Sequence, residues 1–303
     1  MIELVGLTKV FGDRVAVDDL TVRIEPGRVT GFLGPNGSGK TTTMRCVLGL
    51  ARPTAGTATV LGVPYRRLDR PLRRVGALVD PRARHPGRTA HAHLLALARS
   101  NGLPRRRVAE VIDLVGLAAV AYDRVGGYSL GMGQRLGMAG ALLGEPEVLL
   151  LDEPVNGLDP EGIRWVRGLL RGLAAEGRTV LVSSHLMSEM EDTADHLVVL
   201  GRGRLLADVP MAELLGASAA VRVRSPAAPL LASALRRAGA AVVLELDGAL
   251  RIEGLDPADV GDVAHAAGVP VHELTRVVAS LEAAYLALTG GEVEYRAGLP
   301  GLP

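Results

Sequence analysis

Short apolar runs alternate with polar, glycine-marked connections along most of this chain, and the changing rhythm of the alternation divides it into segments. Near the N-terminus the pattern predicts strands over residues 2–7 and 20–24, a Pro26-Gly27 turn, and a strand over 29–33. A glycine-rich loop, a helix over 41–50 and a short strand over 57–61 come next. Residues 75–79 read as a strand. From about 80 to 145 the periodicity turns helical, at 90–100, 108–115 and 130–143, which predicts a helical insertion. Strand–helix alternation then resumes: strand 148–151, helix 161–176, strand 179–183, helix 187–194, and a strand pair at 197–200 and 204–207 around Gly201 and Gly203. Fully apolar strands between helices predict a mostly parallel sheet covered on both faces, an α/β fold.

A break near 209–220 separates a second pattern: strand 221–224, helix 231–238, strands 242–246 and 250–253, helix 258–267, strand 269–274 and helix 281–288. That βαββαβ order with one added helix predicts a small α+β, ferredoxin-like domain. The expected organisation is therefore a large domain over 1–215 and a small one over 216–303, with a loose tail from residue 290.

Composition narrows the picture in three ways. With 303 residues, 48% of them apolar and 22% charged, the chain suits a folded protein, and a formal charge of +1 makes no case for nucleic acid. The apolar runs fall far short of the roughly 20 residues of a membrane span, so any membrane process needs another chain to cross the bilayer. Cys46 is the single cysteine, which rules out an internal disulfide or a cysteine metal cluster and suits a reducing, cytoplasmic setting. The start, MIELVGLTKVFGD, lacks the pattern of a signal peptide.

The loop Gly34-Pro35-Asn36-Gly37-Ser38-Gly39-Lys40-Thr41 has the form G-x-x-x-x-G-K-[ST] and sits between an apolar strand and a helix, as phosphate binding requires. Glycines let successive N–H groups turn inward around phosphates, and the helix N-terminus adds its positive end. Lys40 is expected at the β- and γ-phosphates, the Thr41 hydroxyl at Mg²⁺, and Thr42 at a neighbouring phosphate oxygen. Lys9 and Lys40 are the only lysines among 34 basic residues. A slim ammonium fits between phosphates where a planar guanidinium does not. Val148-Leu-Leu-Leu-Asp152-Glu153 ends an apolar strand in two carboxylates, at the strand end where ligands bind in parallel sheets. Asp152 is read as a Mg²⁺ holder and Glu153 as the general base for water. Ser183-Ser184-His185 ends the next strand, and there His185 can donate to the γ-phosphate.

With these motifs, and with Tyr128-Ser-Leu-Gly-Met-Gly-Gln134-Arg135 and Asn156-Gly-Leu-Asp159-Pro160, residues 1 to about 215 resemble the ATP-binding cassette family, the nucleotide-binding subunits of ABC transporters. The resemblance implies a signature motif at Ser129 and Gly131, a D-loop at Asp159, a switch histidine at His185 and an adenine-stacking aromatic at Phe11. It also implies a head-to-tail dimer of ATP-binding subunits. ATP then lies between the P-loop of one subunit and the signature of the other, and a separate transmembrane permease is driven from the cytoplasmic face of the membrane. Ser129 also suits a helix cap, and Gly131, Gly133, Gly137 and Gly140 each cost their helix about 1 kcal/mol against alanine. A partner's γ-phosphate would explain the first two, and close helix packing the last two. Asp159 and Pro160 make a good helix start as well as a dimer contact, and both readings stand.

Two departures matter. The signature differs from the usual LSGGQ spelling at Leu130 and at Met132-Gly133. Asp80 stands where the family's Q-loop glutamine is expected; it can bind Mg²⁺ or cap the following turn, and both readings stay open. Twelve arginines between Arg66 and Arg107 face only Asp69 and Asp80 as acids up to Arg107. Attraction to a permease or to anionic lipid heads is one reading, and a solvated face shaped by coding bias the other. The small C-terminal domain and the segment from Ser280 to Thr289 resemble those of drug and antibiotic efflux subunits. The expected function is thus an ATPase powering an exporter. The rival, a soluble ABC-type ATPase acting on ribosomes or nucleic acid, usually has two cassettes or a long coiled coil, neither of which this sequence shows.

Overall fold

The computed structural model describes residues 1–80, 83–216 and 220–277, together with 281, 282 and 285. The chain divides after Pro210 into two units.

The first unit holds two sheets. Strands β1 (Ile2–Phe11) and β2 (Arg14–Ile24) form a hairpin, and β4 (Ala55–Val60) joins the other side of β1, giving a three-stranded antiparallel sheet in the order β2-β1-β4. Both hairpin strands run longer than their apolar patterns suggest. The pairing between them shifts register between Leu4 and Leu7, where Gly6 takes φ 58°, and again between Leu7 and Lys9 and between Lys9 and Val10. The first shift moves the buried positions from Ile2 and Leu4 to Leu7 and breaks the simple alternation. The second sheet has six strands in the order β5-β6-β7-β3-β8-β9. These are β3 (Val29–Leu33), β5 (Val75–Leu78), β6 (Val148–Asp152), β7 (Thr179–Ser184), β8 (His196–Gly201) and β9 (Arg204–Pro210). The first five in that order are parallel, and β9 closes one edge antiparallel to β8. Every residue of β3, β6, β7 and β8 is buried, as strands covered on both faces require.

Helix α1 (Lys40–Val47) follows β3 and buries Met44 and Val47 in a core shared by both sheets, with Ile2, Phe32 and Leu150. A short α2 (Pro71–Arg74) leads into β5. Between β5 and β6 lie α3 (Ala90–Ser100), α4 (Arg106–Leu114) and α5 (Leu130–Leu142), the expected helical insertion. Close packing of α5 on β5 explains two glycines. A Cβ on Gly76 would lie 2.1 Å from the Ala141 carbonyl oxygen, and one on Gly137 would lie 2.5 Å from Leu78 Cδ1. Gly140 meets only an ordinary contact, so packing does not require it. Helices α6 (Pro160–Ala175) and α7 (Met187–Glu191) complete the strand–helix alternation.

The second unit begins with α8 (Met211–Gly216), a helix the sequence pattern left as a break. Strands β10 (Ala220–Arg224), β11 (Ala241–Leu244), β12 (Leu250–Glu253) and β13 (Glu273–Val277) form one antiparallel sheet in the order β11-β12-β10-β13, crossed by α9 (Ala228–Arg237) and α10 (Pro257–Ala266). This is the βαββαβ arrangement expected from sequence. The last strand lies four residues beyond its expected start, because Pro270 lacks the N–H that a strand there would use. Leu281, Glu282 and Tyr285 are helical, as read, while the rest of that expected helix and the tail lie outside the described residues.

Candidate functional site

Beyond the C-terminal ends of β3 and β6 lies a cavity of about 480 Å³ bounded by the loop from Asn36 to Thr42, by Glu153, and by Phe11, Arg14 and Ala16 of the β1–β2 hairpin. The loop's geometry requires glycine at set places. Gly37 and Gly39 have φ of 85° and 101°. A Cβ on Gly34 would sit 2.4 Å from the Leu200 carbonyl oxygen, and one on Gly39 would sit 2.6 Å from that of Ala16. Gly39 is the N-cap of α1 and supplies no side-chain cap, so the first-turn N–H groups are left for a ligand. Ser38 is buried, and its Oγ has no partner among the described residues. A cradle of this shape, with unclaimed N–H donors and an orphaned hydroxyl, fits phosphate oxygens.

Lys40 is 5% exposed, and its Nζ donates to the carbonyl oxygens of Gly34 at 2.5 Å and Pro35 at 3.1 Å. Burial pushes the ammonium below its ordinary value, while Glu153 and then Asp152 pull it back. A cation held this way gains when phosphate charge arrives.

Register brings the acidic pair to the same place. Asp152 ends β6 directly beside Ser183 of β7. Thr41 Oγ1 donates to Asp152 Oδ2 at 2.5 Å, and Ser183 Oγ donates to Asp152 Oδ1 at 2.5 Å. Ser183 Oγ also accepts from the Glu153 N–H at 3.0 Å. Glu153 has φ 51°, a left-handed conformation that is costly for a residue with a Cβ. Its carbonyl oxygen accepts from Gln134 Nε2 at 2.8 Å. Its carboxylate meets His185 Nδ1 at 2.8 Å and Asn156 Nδ2 at 3.4 Å. Ser183, Gln134 and Asn156 are supporting residues that the motif reading did not single out. Ser183 stood in a quoted strand end, but its role follows from strand pairing, which local sequence does not display.

The other expected site residues lie apart from this cluster. Phe11 is half exposed, lines the cavity, and has the Lys9 ammonium 4.6 Å from its ring centroid. Asp80 lies two residues beyond the end of β5, at the same end of the sheet as Glu153. Ser129 caps α5 by accepting from the Met132 N–H at 3.2 Å. Asp159 caps α6 by accepting from the Gly162 N–H at 2.9 Å. Within one chain both side chains are therefore engaged in helix capping. Gly131 and Gly133 also have neighbours in the same chain: a Cβ on Gly131 would be 2.8 Å from the Gly157 carbonyl oxygen, and one on Gly133 would be 2.4 Å from the Arg84 guanidinium.

A P-loop at a helix N-terminus, an acidic pair at the end of β6 and a histidine on the carboxylate define a nucleotide-binding ATPase cassette. The model of the ABC transporter family matches residues 17–156, and that of a domain of unknown function, DUF8746, matches residues 219–282. The bacitracin transport ATP-binding protein BcrA of Bacillus licheniformis is 42% identical over 217 residues, 71% of each chain. The lantibiotic transport ATP-binding protein SrtF of Streptococcus pyogenes is 33% identical over 68% of this chain and 89% of its own length. Among solved structures, an ATP-binding subunit of an ABC transporter matches with TM-score 0.65 at 25% identity, over 72% of this chain and 92% of that one. The dimeric ABC transporter cassette MJ0796 shares the fold at TM-score 0.62 and 24% identity, over 70% of this chain and 99% of that one. The chain belongs to the ABC transporter family, as one of its ATP-binding subunits.

Proposed function

We propose that this chain hydrolyses ATP to power an exporter of antibiotic-like small molecules, bound to a separate transmembrane permease at the cytoplasmic membrane face and paired head to tail with a second ATP-binding subunit. The observation that carries the hydrolytic reading is the contact of Glu153 with His185 at 2.8 Å, at the mouth of the cavity that Lys40 lines. Backbone N–H groups of Gly37 and of Gly39 through Thr42, with the Lys40 ammonium, bind and orient the triphosphate. Glu153 accepts the proton of the attacking water, and His185, bridging Glu153 and the terminal phosphate, registers whether that phosphate is present. Ser129 and Gly131, at the start of α5, complete the site of the other subunit. Adenine stacks on the Phe11 face opposite Lys9.

Thr41 and Asp152 are the residues that would hold Mg²⁺, since their oxygens already meet at 2.5 Å. Bound there with the nucleotide, the ion would neutralise developing charge on the phosphates. The described residues contain no group of three or more His, Cys, Asp or Glu side chains able to hold a metal, so the phosphates would supply much of the coordination. No helix among the described residues is long and apolar enough to cross a membrane. The efflux reading draws on the relatives named for bacitracin and lantibiotic transport and on the Nod factor export ATP-binding protein I of Paraburkholderia xenovorans, 39% identical over 68% of this chain.

The test is co-expression with a candidate permease, a multi-span membrane protein found by co-purification from the native membrane, then reconstitution in vesicles and ATPase assay with peptide antibiotics. Antibiotic-stimulated hydrolysis that needs both chains is the expected result. Hydrolysis stimulated by ribosomes or nucleic acid, and not by the membrane chain, would favour the soluble alternative.

A further inference from the structure

The histidine that meets Glu153 sits on a strand end whose two serines face opposite ways. Ser183 turns toward the acidic pair. Ser184, fully buried, turns toward α7, where its Oγ donates to Glu189 Oε2 at 2.9 Å and accepts from the Leu186 N–H at 2.9 Å. That hydroxyl spans the backbone on both sides of His185, whose imidazole projects outward to Glu153. The far end of the link is fixed in turn. A Cβ on Gly31 of β3 would lie 2.5 Å from Met190 Sδ, so α7 sits tightly on the central strand. Asp192, just past α7, pairs with Arg167 of α6 at 2.8 Å.

We propose that Glu189 is a positioning residue for His185: it anchors the Ser184 hydroxyl, and through it the short turn that holds the imidazole against the Glu153 carboxylate. The inference rests on the hydrolytic reading of Glu153 and His185. The groups that act electrostatically on Glu189 are Glu153, His185 and Arg167. Burial, more than any of these, pushes its carboxyl above the ordinary range, while the Ser184 hydrogen bond opposes that shift. A carboxylate is kept in this partly buried place at a cost, and the bond to Ser184 is its direct contact with the histidine turn.

Two accounts of Glu189 differ in what glutamine does. As an anchor, Glu189 needs only an acceptor oxygen, which Glu189→Gln keeps. As a charge acting on His185 or Glu153, it needs the ionised carboxylate, which Glu189→Gln removes. The experiment measures kcat and KM for ATP, with melting temperature, on the full chain for Glu189→Ala, Glu189→Gln, Ser184→Ala, His185→Ala and the Glu189→Ala/His185→Ala double variant. Losing one buried hydrogen bond that acts through the histidine should lower kcat about five- to tenfold in Glu189→Ala and in Ser184→Ala, with KM little changed. Glu189→Gln should recover kcat to within about twofold of wild type, and Glu189→Ala should cost nothing further once His185 is alanine. Should Glu189→Ala fail to fold, Ser184→Ala breaks the same link from the other end. Wild-type kcat in Ser184→Ala, a glutamine variant as slow as the alanine one, or additive losses in the double variant would each overturn the anchor. Wild-type kcat in His185→Ala would instead overturn the hydrolytic role of the histidine on which the inference stands.

Discussion

Ser183 offers a sharp test of how the Glu153 carboxylate, the proposed general base, is held. Its hydroxyl is fully buried, donates to Asp152 and accepts from the N–H of Glu153. Ser183→Ala removes both bonds without adding bulk. The bond to the carboxylate is charge-assisted, worth about 1.5–3 kcal/mol, and the Glu153 N–H left unpaired costs about 1–3 kcal/mol more. Part of that loss falls on global stability. The part that acts on Glu153 is directed at a residue with φ 51°, whose backbone gains about 1–2 kcal/mol by leaving that conformation. We expect about 1–3 kcal/mol to appear as lost transition-state stabilisation, a drop in kcat of roughly 5- to 150-fold. Steady-state hydrolysis supplies kcat, equilibrium binding of a fluorescent ATP analogue supplies affinity, and a melting curve supplies the stability change. Affinity should stay near wild type, because Lys40 and the loop N–H groups are untouched. A folded Ser183→Ala protein with kcat within about twofold of wild type would show instead that Glu153 holds its geometry without the hydroxyl.

Three further outcomes are expected. Lys40 is held below its ordinary value of 10.5 by burial, and phosphate charge favours its protonated form, so ATP affinity should be full at neutral pH. It should fall as pH rises through the depressed value, with the decline beginning below 10.5; titration calorimetry across alkaline pH checks this, and a flat profile would contradict it. Asp80→Ala should lower permease-coupled hydrolysis more than basal hydrolysis, and equal losses in reconstituted vesicles would remove Asp80 from coupling. Gly76→Ala places a Cβ 2.1 Å from a backbone oxygen of α5, so urea unfolding should show destabilisation of about 1–3 kcal/mol.

The central strands were legible because burial on both faces leaves an unbroken apolar run, as at residues 148–151. The P-loop was legible because its chemistry is local: glycines, one lysine and one threonine at fixed spacing. Strand β13 was misplaced because Glu273, Thr275 and Arg276 give it little apolar alternation, while the Val269-Pro270-Val271 stretch before it looks more strand-like. The supporting half of the site was not legible for a different reason. Ser183 reaches Asp152 only because β6 and β7 pair in a register that puts the two side by side. Gln134 reaches the Glu153 carbonyl from α5, nineteen positions away in sequence. Nor does the sequence announce the left-handed backbone of Glu153, since that conformation is imposed by its surroundings on a residue that does not favour it. Capping by Ser129 and Asp159 was legible because it is local chemistry: each side chain accepts from an N–H three residues on.

The proposed role of Glu153 is to drive hydrolysis in a site completed by a second subunit. The direct measurement is the solution mass of Glu153→Gln with ATP and Mg²⁺, by light scattering on a sizing column, with the bound nucleotide identified after elution. We expect a stable dimer retaining two unhydrolysed ATP molecules, while the wild type under the same conditions returns to monomer as ADP forms. A variant that stays monomeric with ATP bound, or that turns over ATP at the wild-type rate, would contradict the claim.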